Sequence, residues 1–104
     1  MDRVFKALAD SNRRKMLDRL HAEPGLTLSE LIENVEMTRQ SASRHVSILE
    51  RAQLIVTHWS GREKLHYLNP VPVAEISERW LDKFSENKAV TLLALKTALE
   101  DQEK

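Results

Sequence analysis

The sequence of 104 residues contains no cysteine, only two glycines and three prolines. The absence of cysteine excludes disulfide bonds, thiolate metal ligands and cysteine nucleophiles. Two glycines are too few for a glycine-rich phosphate-binding loop, and no serine, histidine and acid are arranged as in a catalytic triad. No apolar run approaches the roughly 20 residues that a membrane-spanning helix needs. We therefore predict a cytoplasmic protein that is not an enzyme, binds no cofactor and contacts no membrane.

Charge is balanced over the whole chain, with 16 basic and 16 acidic residues, and such neutrality is unusual for a protein that binds nucleic acid. The balance changes along the chain. Residues 37–64 contain only two acidic residues, whereas the segments on either side are slightly acidic. Positive charge is thus concentrated in the middle third, at Arg39, Arg44, Arg51, Arg62 and Lys64.

Helical spacing of apolar residues, together with capping residues, predicts a helical first half of the chain. Thr27 and Glu30 have the spacing of a capping box, in which each side chain binds the other residue's backbone amide. The predicted helices cover 2–9, from the N-cap Asp10 to about His21, from 27–30 to about Asn34, and from the N-cap Thr38 to about Ala52.

The pattern then changes to short β-branched and aromatic segments. Residues 54–59 and 64–68 flank a Gly-containing turn at 60–63, and this order predicts a β-hairpin. After a break at 69–72, helical spacing resumes over 73–101 as one helix or two, with Ser85 as a second N-cap. The predicted fold is mainly α with a small β-hairpin, in a single domain over 1–104.

A short helix, a joint at 36–38 and a polar-faced helix form the order of a helix-turn-helix unit. The second helix of such a unit enters the major groove of DNA with its N-terminal residues against base edges. Arg can bind guanine and Gln can bind adenine through two hydrogen bonds each. The predicted DNA-binding residues are Thr38, Arg39, Gln40, Ser41, Ser43 and Arg44 on the helix, with Arg62 and Lys64 on the hairpin.

Four segments of the chain match the pattern of a known family. They are Val4–Asp10 followed by Arg13-Arg14, Met37–Val46 followed by Leu49, Gly61-Arg62, and Tyr67–Pro70. Their order over residues 2–84 resembles the ArsR-type winged helix-turn-helix repressors. One departure from the family pattern is Gln53, because 52–55 is Ala-Gln-Leu-Ile where the family usually has Ala-Gly-Leu-Val.

The resemblance implies a homodimer that represses transcription by occupying an operator in double-stranded DNA, often until a small-molecule effector binds. It adds His45 to Gln40, Ser41, Ser43 and Arg44 on the DNA side of the helix. It also implies dimerisation through the first helix and a C-terminal helix at about 72–101. The predicted interface residues are Val4, Phe5, Leu8, Ile76, Trp80 and Phe84.

Metal-sensing relatives carry cysteines where this chain has residues 26–31, or histidines on the C-terminal helix. Since this chain has neither, we predict no metal site. Residues 80–84 also resemble a metal-independent subgroup of the family.

Several alternatives remain open at this level. His45 either contacts DNA or packs against the protein, and Trp59 either packs in the hairpin or flanks the DNA. Residues 13–15 either touch phosphates or form a solvated helix face with one residue aimed at a carboxylate. Trp80 and Phe84 either line an effector pocket or pack in the core or the dimer. The neutral net charge also allows a winged-helix module that binds protein without specific DNA binding.

Overall fold

The computed structural model describes residues 1–81 and 95–100, and the chain divides into two compact units, Met1–Pro72 and Val73–Lys104. The first unit contains a helical array and an antiparallel hairpin, in the predicted order. Its elements are α1 (Asp2–Leu8), α2 (Ser11–Ala22), α3 (Leu28–Leu31), α4 (Arg39–Arg51), β1 (Ile55–Ser60) and β2 (Glu63–Leu68). The predicted fold class, mainly α with a small β-hairpin, is confirmed.

Helices α2 and α4 begin at the predicted N-caps. Asp10 Oδ1 accepts from the amides of Asn12 and Arg13 at 2.8 and 3.1 Å, and Thr38 Oγ1 accepts from the Ser41 amide at 3.0 Å. These bonds satisfy backbone donors that a helix start leaves without an intrahelical partner. The hydrogen bond from the Arg13 amide holds the pKa of the Asp10 carboxyl below its usual value, because it stabilises the charged form.

Helix α3 begins with the predicted capping box and is shorter than predicted. The Glu30 amide donates to Thr27 Oγ1 at 3.2 Å, and the Thr27 amide donates to Glu30 Oε1 at 3.0 Å. The bond from the Thr27 amide lowers the pKa of Glu30. The helix ends at Leu31 rather than near Asn34, because the chain turns and Asn34 takes a left-handed conformation with φ 64°.

The hairpin has a tighter turn than the four residues predicted. Ile55 pairs with Leu68 and Ser60 pairs with Glu63, which leaves only Gly61-Arg62 between the strands. Gly61 has φ 62°, the conformation that a two-residue hairpin turn needs at its first position.

The backbone segment Gly25-Leu26, which precedes α3, also pairs with β2. The Leu26 carbonyl accepts from the His66 amide at 2.8 Å and from His66 Nδ1 at 2.9 Å, and the Gly25 amide donates to the His66 carbonyl at 2.9 Å. Gly25 has φ 85°, and a Cβ there would lie 3.2 Å from the Tyr67 hydroxyl. His66 is buried, and its ring and backbone join β2 to the segment before α3.

The core of the first unit lies between α2, α4 and the start of β1. Leu20, Leu49 and Leu54 are fully buried. The apolar residues Leu28, Ile32 and Ile48 are only half-buried.

Helix α5 (Val71–Ile76) begins two residues before the predicted start at 73, and π-helical turns follow at Ser77–Leu81. Asn69 Oδ1 accepts from the Val71 amide at 3.2 Å, and Pro72 is tolerated in the first turn because no intrahelical bond needs its missing N–H there. Residues 95–100 are also helical. Phe84, Ser85 and the question of one helix or two lie outside the described residues. None of the described helices is long and apolar enough to cross a membrane.

Candidate nucleic-acid interface

Helix α4 has a polar face that is exposed to solvent and lies opposite its buried side. Ala42, Val46 and Leu49 are buried, and at about 100° per residue the opposite side consists of other positions. We call this exposed set the reading face. It consists of Gln40, Ser43, Arg44, Ser47 and Arg51, all exposed.

The start of α4 is held by contacts within the protein. The hydroxyl of Thr38 caps the helix, and Ser41, whose amide it binds, is half-buried. Arg39 Nη1 donates to Ser29 Oγ on α3 at 2.6 Å, so its guanidinium links the two helices of the helix-turn-helix unit. Thr38, Arg39 and Ser41, which are predicted to bind DNA, therefore also have contacts within the protein. Within 1–81 and 95–100, no hydrogen-bond or ion-pair partner is shown for Gln40 or Arg44.

His45 lies beside the reading face and contacts α2. It is half-buried, and its Nδ1 lies 3.2 Å from Arg13 Nη1. Because a guanidinium only donates, Nδ1 must accept, and the neutral ring then has its proton on Nε2. This contact shows that His45 packs against the protein, and a contact of its Nε2 with DNA stays a prediction.

Arg13 and Arg14 bind the C-terminal end of α1. Arg13 donates from Nε to the Ala7 carbonyl at 2.8 Å and from Nη2 to the Lys6 carbonyl at 3.0 Å, and Arg14 Nη1 donates to the Leu8 carbonyl at 2.7 Å. The last carbonyls of a helix lack the amide partner four residues on, and the Lys6 carbonyl also accepts from the amide of the C-cap residue Ala9 at 3.3 Å. Only the Arg13–Asp10 pair, at 4.0 Å, matches the carboxylate contact considered from sequence. The sequence contained one signal for this capping, namely that Arg13 and Arg14 follow soon after a short helix.

The hairpin, or wing, places its cations in different surroundings. Arg62 is exposed at the turn, and the described part of the chain shows no partner for it. Lys64 Nζ lies 3.3 Å from Glu50 Oε1, so this predicted DNA-binding cation is paired with an acid of α4. Trp59, opposite Lys64 in the register, is 62% exposed and is therefore not packed inside the hairpin.

A groove of about 640 Å³ lies between α3, α4 and the wing. The Arg39–Ser29 and Lys64–Glu50 contacts join residues of its lining, and Trp59 lines it from the wing. Ser43 and Ser47 of the reading face and Arg62 of the wing tip also line the groove.

The predicted dimer residues differ in accessibility. On α1, Val4 is buried within the protomer, Leu8 is half-buried and Phe5 is 46% exposed. Val4 is thus a residue of the protomer's own core, and the prediction for α1 depends on Phe5 and Leu8. In the second unit Ile76 is half-buried and Trp80 is 52% exposed.

No group of three or more His, Asp or Glu residues within 1–81 and 95–100 could hold a metal ion. The absence of a metal site in the whole protein stays a prediction.

Comparison with known proteins places this geometry in a family. A model described as a helix-turn-helix domain matches residues 8–58. The HTH-type transcriptional regulator YuzN of Bacillus subtilis is 34% identical over 87 residues, which cover 78% of this chain and 95% of YuzN. The transcriptional repressor SdpR of the same species is 34% identical over 84 residues, which cover 81% of this chain and 91% of SdpR.

A crystal structure of an ArsR family transcriptional regulator matches with a TM-score of 0.64 at 29% identity, covering 96% of this chain and 89% of that one. The chain belongs to the ArsR-type winged helix-turn-helix transcriptional regulators. An ArsR-type regulator is a DNA-binding protein, and the contact of the exposed α4 with DNA stays a prediction. The regulator also shares its fold with a homodimeric winged helix-turn-helix DNA-binding domain from Mycobacterium bovis, with a TM-score of 0.63 at 21% identity over 96% of this chain and 82% of that one.

Proposed function

We propose that this regulator is a cytoplasmic repressor that binds a pseudo-palindromic operator as a homodimer, with α4 in the major groove and the wing on the adjacent backbone. The observation that supports the proposal most directly is the reading face, where hydrogen-bonding side chains are exposed on one helix. SdpR is a repressor, and the M. bovis domain is a homodimer, which agrees with the proposed mode of action.

The proposal gives different roles to the predicted residues. Gln40 and Arg44 are exposed and contact base edges, because each can make two hydrogen bonds to one base. Ser43 and Arg62 contact phosphates, which position the protein without selecting sequence. Arg39 and His45 orient α4 through the contacts that they already make, whereas Glu50 neutralises Lys64 at the wing.

Binding to the DNA upstream of the protein's own gene, measured by fluorescence anisotropy over a salt titration, tests the proposal. Arg62→Ala should weaken binding to all sequences alike and flatten the salt dependence by about one unit per lost phosphate contact. Gln40→Ala should relax base preference, at a cost of about 1–3 kcal/mol on the preferred operator. Lys15→Ala, an exposed change on α2, is the control and should leave base preference unchanged.

Equal losses on all sequences for Gln40→Ala would contradict its role in base recognition. If the wild-type protein does not bind this DNA at about 50 mM salt, the proposal fails in favour of a winged-helix module that binds protein. The neutral net charge of the chain is the observation that favours this second candidate.

The proposed repressor can also respond to a small-molecule effector held at the dimer interface. A ligand that binds the folded protein raises its melting temperature by mass action, so a thermal-shift panel detects such a molecule. The absence of a shift with every ligand would count against an effector among those tested.

A further inference from the structure

Arg13 is the one side chain of α2 that is hydrogen-bonded to both α1 and α4 in the described part of the chain. Its side chain is 14% exposed. Nε and Nη2 donate to the α1 carbonyls of Ala7 and Lys6, and Nη1 faces Nδ1 of His45 on α4 at 3.2 Å. A planar guanidinium with fixed donor directions holds all of its acceptors in one relative arrangement.

We propose that Arg13 is a positioning residue for operator binding, which sets the orientation of α4 against the end of α1 through His45. The inference depends on the proposed function, since it concerns how that function is achieved. Helix α1 has the exposed Phe5 of the predicted dimer interface, and α4 has the reading face. The Arg13–His45 contact therefore joins the helix predicted to hold the partner subunit to the helix that contacts DNA.

The contact also defines the state of the His45 ring. Arg13 has donors only, so Nδ1 of His45 accepts and the neutral ring is protonated on Nε2. The charged groups that face this ring from α2 and its N-cap are Arg13 and Asp10. Without the Arg13 contact, the His45 ring is no longer held in a single tautomer. The tautomer of His45, measured by spectroscopy, therefore tests the proposal independently of the affinity for DNA.

Arg14 is a matched control at the next position of α2. Arg14 Nη1 donates to the Leu8 carbonyl at 2.7 Å, so it caps the same end of α1 as Arg13 does. Among the described residues, no hydrogen bond or ion pair is shown between Arg14 and α4. Arg13→Met and Arg14→Met remove the same charge and the same kind of helix cap. Arg13→Met also removes a second bond to α1, the ion pair with Asp10 and the link to His45, so the double-mutant cycle with His45→Ala isolates that link.

The experiment compares these two variants and the wild type by operator affinity at fixed salt, by thermal unfolding and by ¹⁵N NMR of the His45 ring. We expect Arg13→Met to weaken operator binding roughly fivefold more than Arg14→Met does, within the range of couplings passed through packed side chains. We expect a single Nε2–H tautomer in the wild type and in Arg14→Met, and a mixture in Arg13→Met. His45→Ala should weaken binding, and combining it with Arg13→Met should add little to that loss, because both changes remove one link.

Equal losses of affinity for Arg13→Met and Arg14→Met would overturn the proposal, as would an Nδ1–H tautomer in the wild-type protein. Thermal unfolding verifies that each variant is folded at the temperature of the binding measurement. If Arg13→Met is unfolded there, Arg13→Lys replaces it, because lysine keeps the charge and cannot reach the acceptors on α1 and α4 together. A wild-type protein that does not bind operator DNA contradicts the proposed function, whereas binding with equal losses contradicts only the positioning role.

Discussion

Gln53 ends α4 in a conformation that favours glycine. Its φ is 61°, and the following amide, of Leu54, donates to the Leu49 carbonyl at 3.0 Å as the chain leaves the helix. A side chain in the left-handed region costs about 1–2 kcal/mol, since its Cβ crowds the backbone. This position is the one where the resemblance to the ArsR family leads us to expect glycine, and the backbone conformation explains that preference.

We predict that Gln53→Gly raises the free energy of unfolding by about 0.5–1 kcal/mol, because relief of the left-handed strain exceeds the entropy that glycine adds to the unfolded chain. Chemical denaturation at fixed protein concentration measures the change. Asn34→Gly is the matched control, with φ 64° at a residue type that tolerates this region. A gain for Asn34→Gly as large as that for Gln53→Gly would show that strain at Gln53 is not the cause.

The wing and α4 are joined by one ion pair, and this pair sets how much positive charge the two elements present to DNA. Lys64 and Glu50 are each about one-third exposed, so their attraction is screened by solvent and contributes little to stability. Glu50 nevertheless neutralises a cation at the edge of the groove. Its effect on DNA affinity should therefore exceed its effect on folding.

We predict that Glu50→Gln tightens operator binding by about two- to fivefold at low salt and steepens the salt dependence by up to about one unit, because it releases Lys64 to a phosphate. The measurement is fluorescence anisotropy over a salt titration. Glu63→Gln makes the same charge change on the exposed wing without releasing a paired lysine and should give the smaller gain. Equal gains for the two variants would contradict a role for the Lys64–Glu50 pair.

The sequence predicted those features of the elements that depend on residues close together in the chain. The caps at Asp10, Thr27 and Thr38 each use partners two or three residues away, and all three form as predicted. The polar face of α4 also follows from its own spacing, and the structure exposes it as expected. Such signals are local, so a single sequence contains all of the information that they need.

The missed contacts join residues that are distant in the chain. His66 binds the Leu26 carbonyl across 40 positions, and Arg13 contacts His45 across 32. The residue type alone does not predict the partner, since histidine and arginine on a helix or strand are also common as solvated side chains. The ends of α3 and of the hairpin strands were misplaced for a related reason, because turn conformations decide them.

At the scale of the whole molecule, the proposed affinity for an operator depends on joining two copies of the chain. A single reading face offers few base contacts, whereas two faces about 34–36 Å apart would contact both half-sites of a pseudo-palindrome. Of the predicted interface residues of α1, Phe5 is the one that is aromatic and exposed in the protomer, at 46%. A large exposed aromatic side chain on a short helix is typical of a residue that becomes buried on association.

We predict that Phe5→Asp raises the dissociation constant of the dimer by at least about tenfold, because burying a carboxylate in an apolar interface costs more than the lost aromatic contact alone. Sedimentation velocity over a concentration series measures the dimer, and anisotropy with a full operator and a single half-site measures the consequence. Val35→Asp is the matched control, since Val35 is also 46% exposed and lies outside the predicted interface. Phe5→Asp should lose affinity for the full operator while keeping its affinity for the half-site, and an unchanged dimer in Phe5→Asp would remove α1 from the interface.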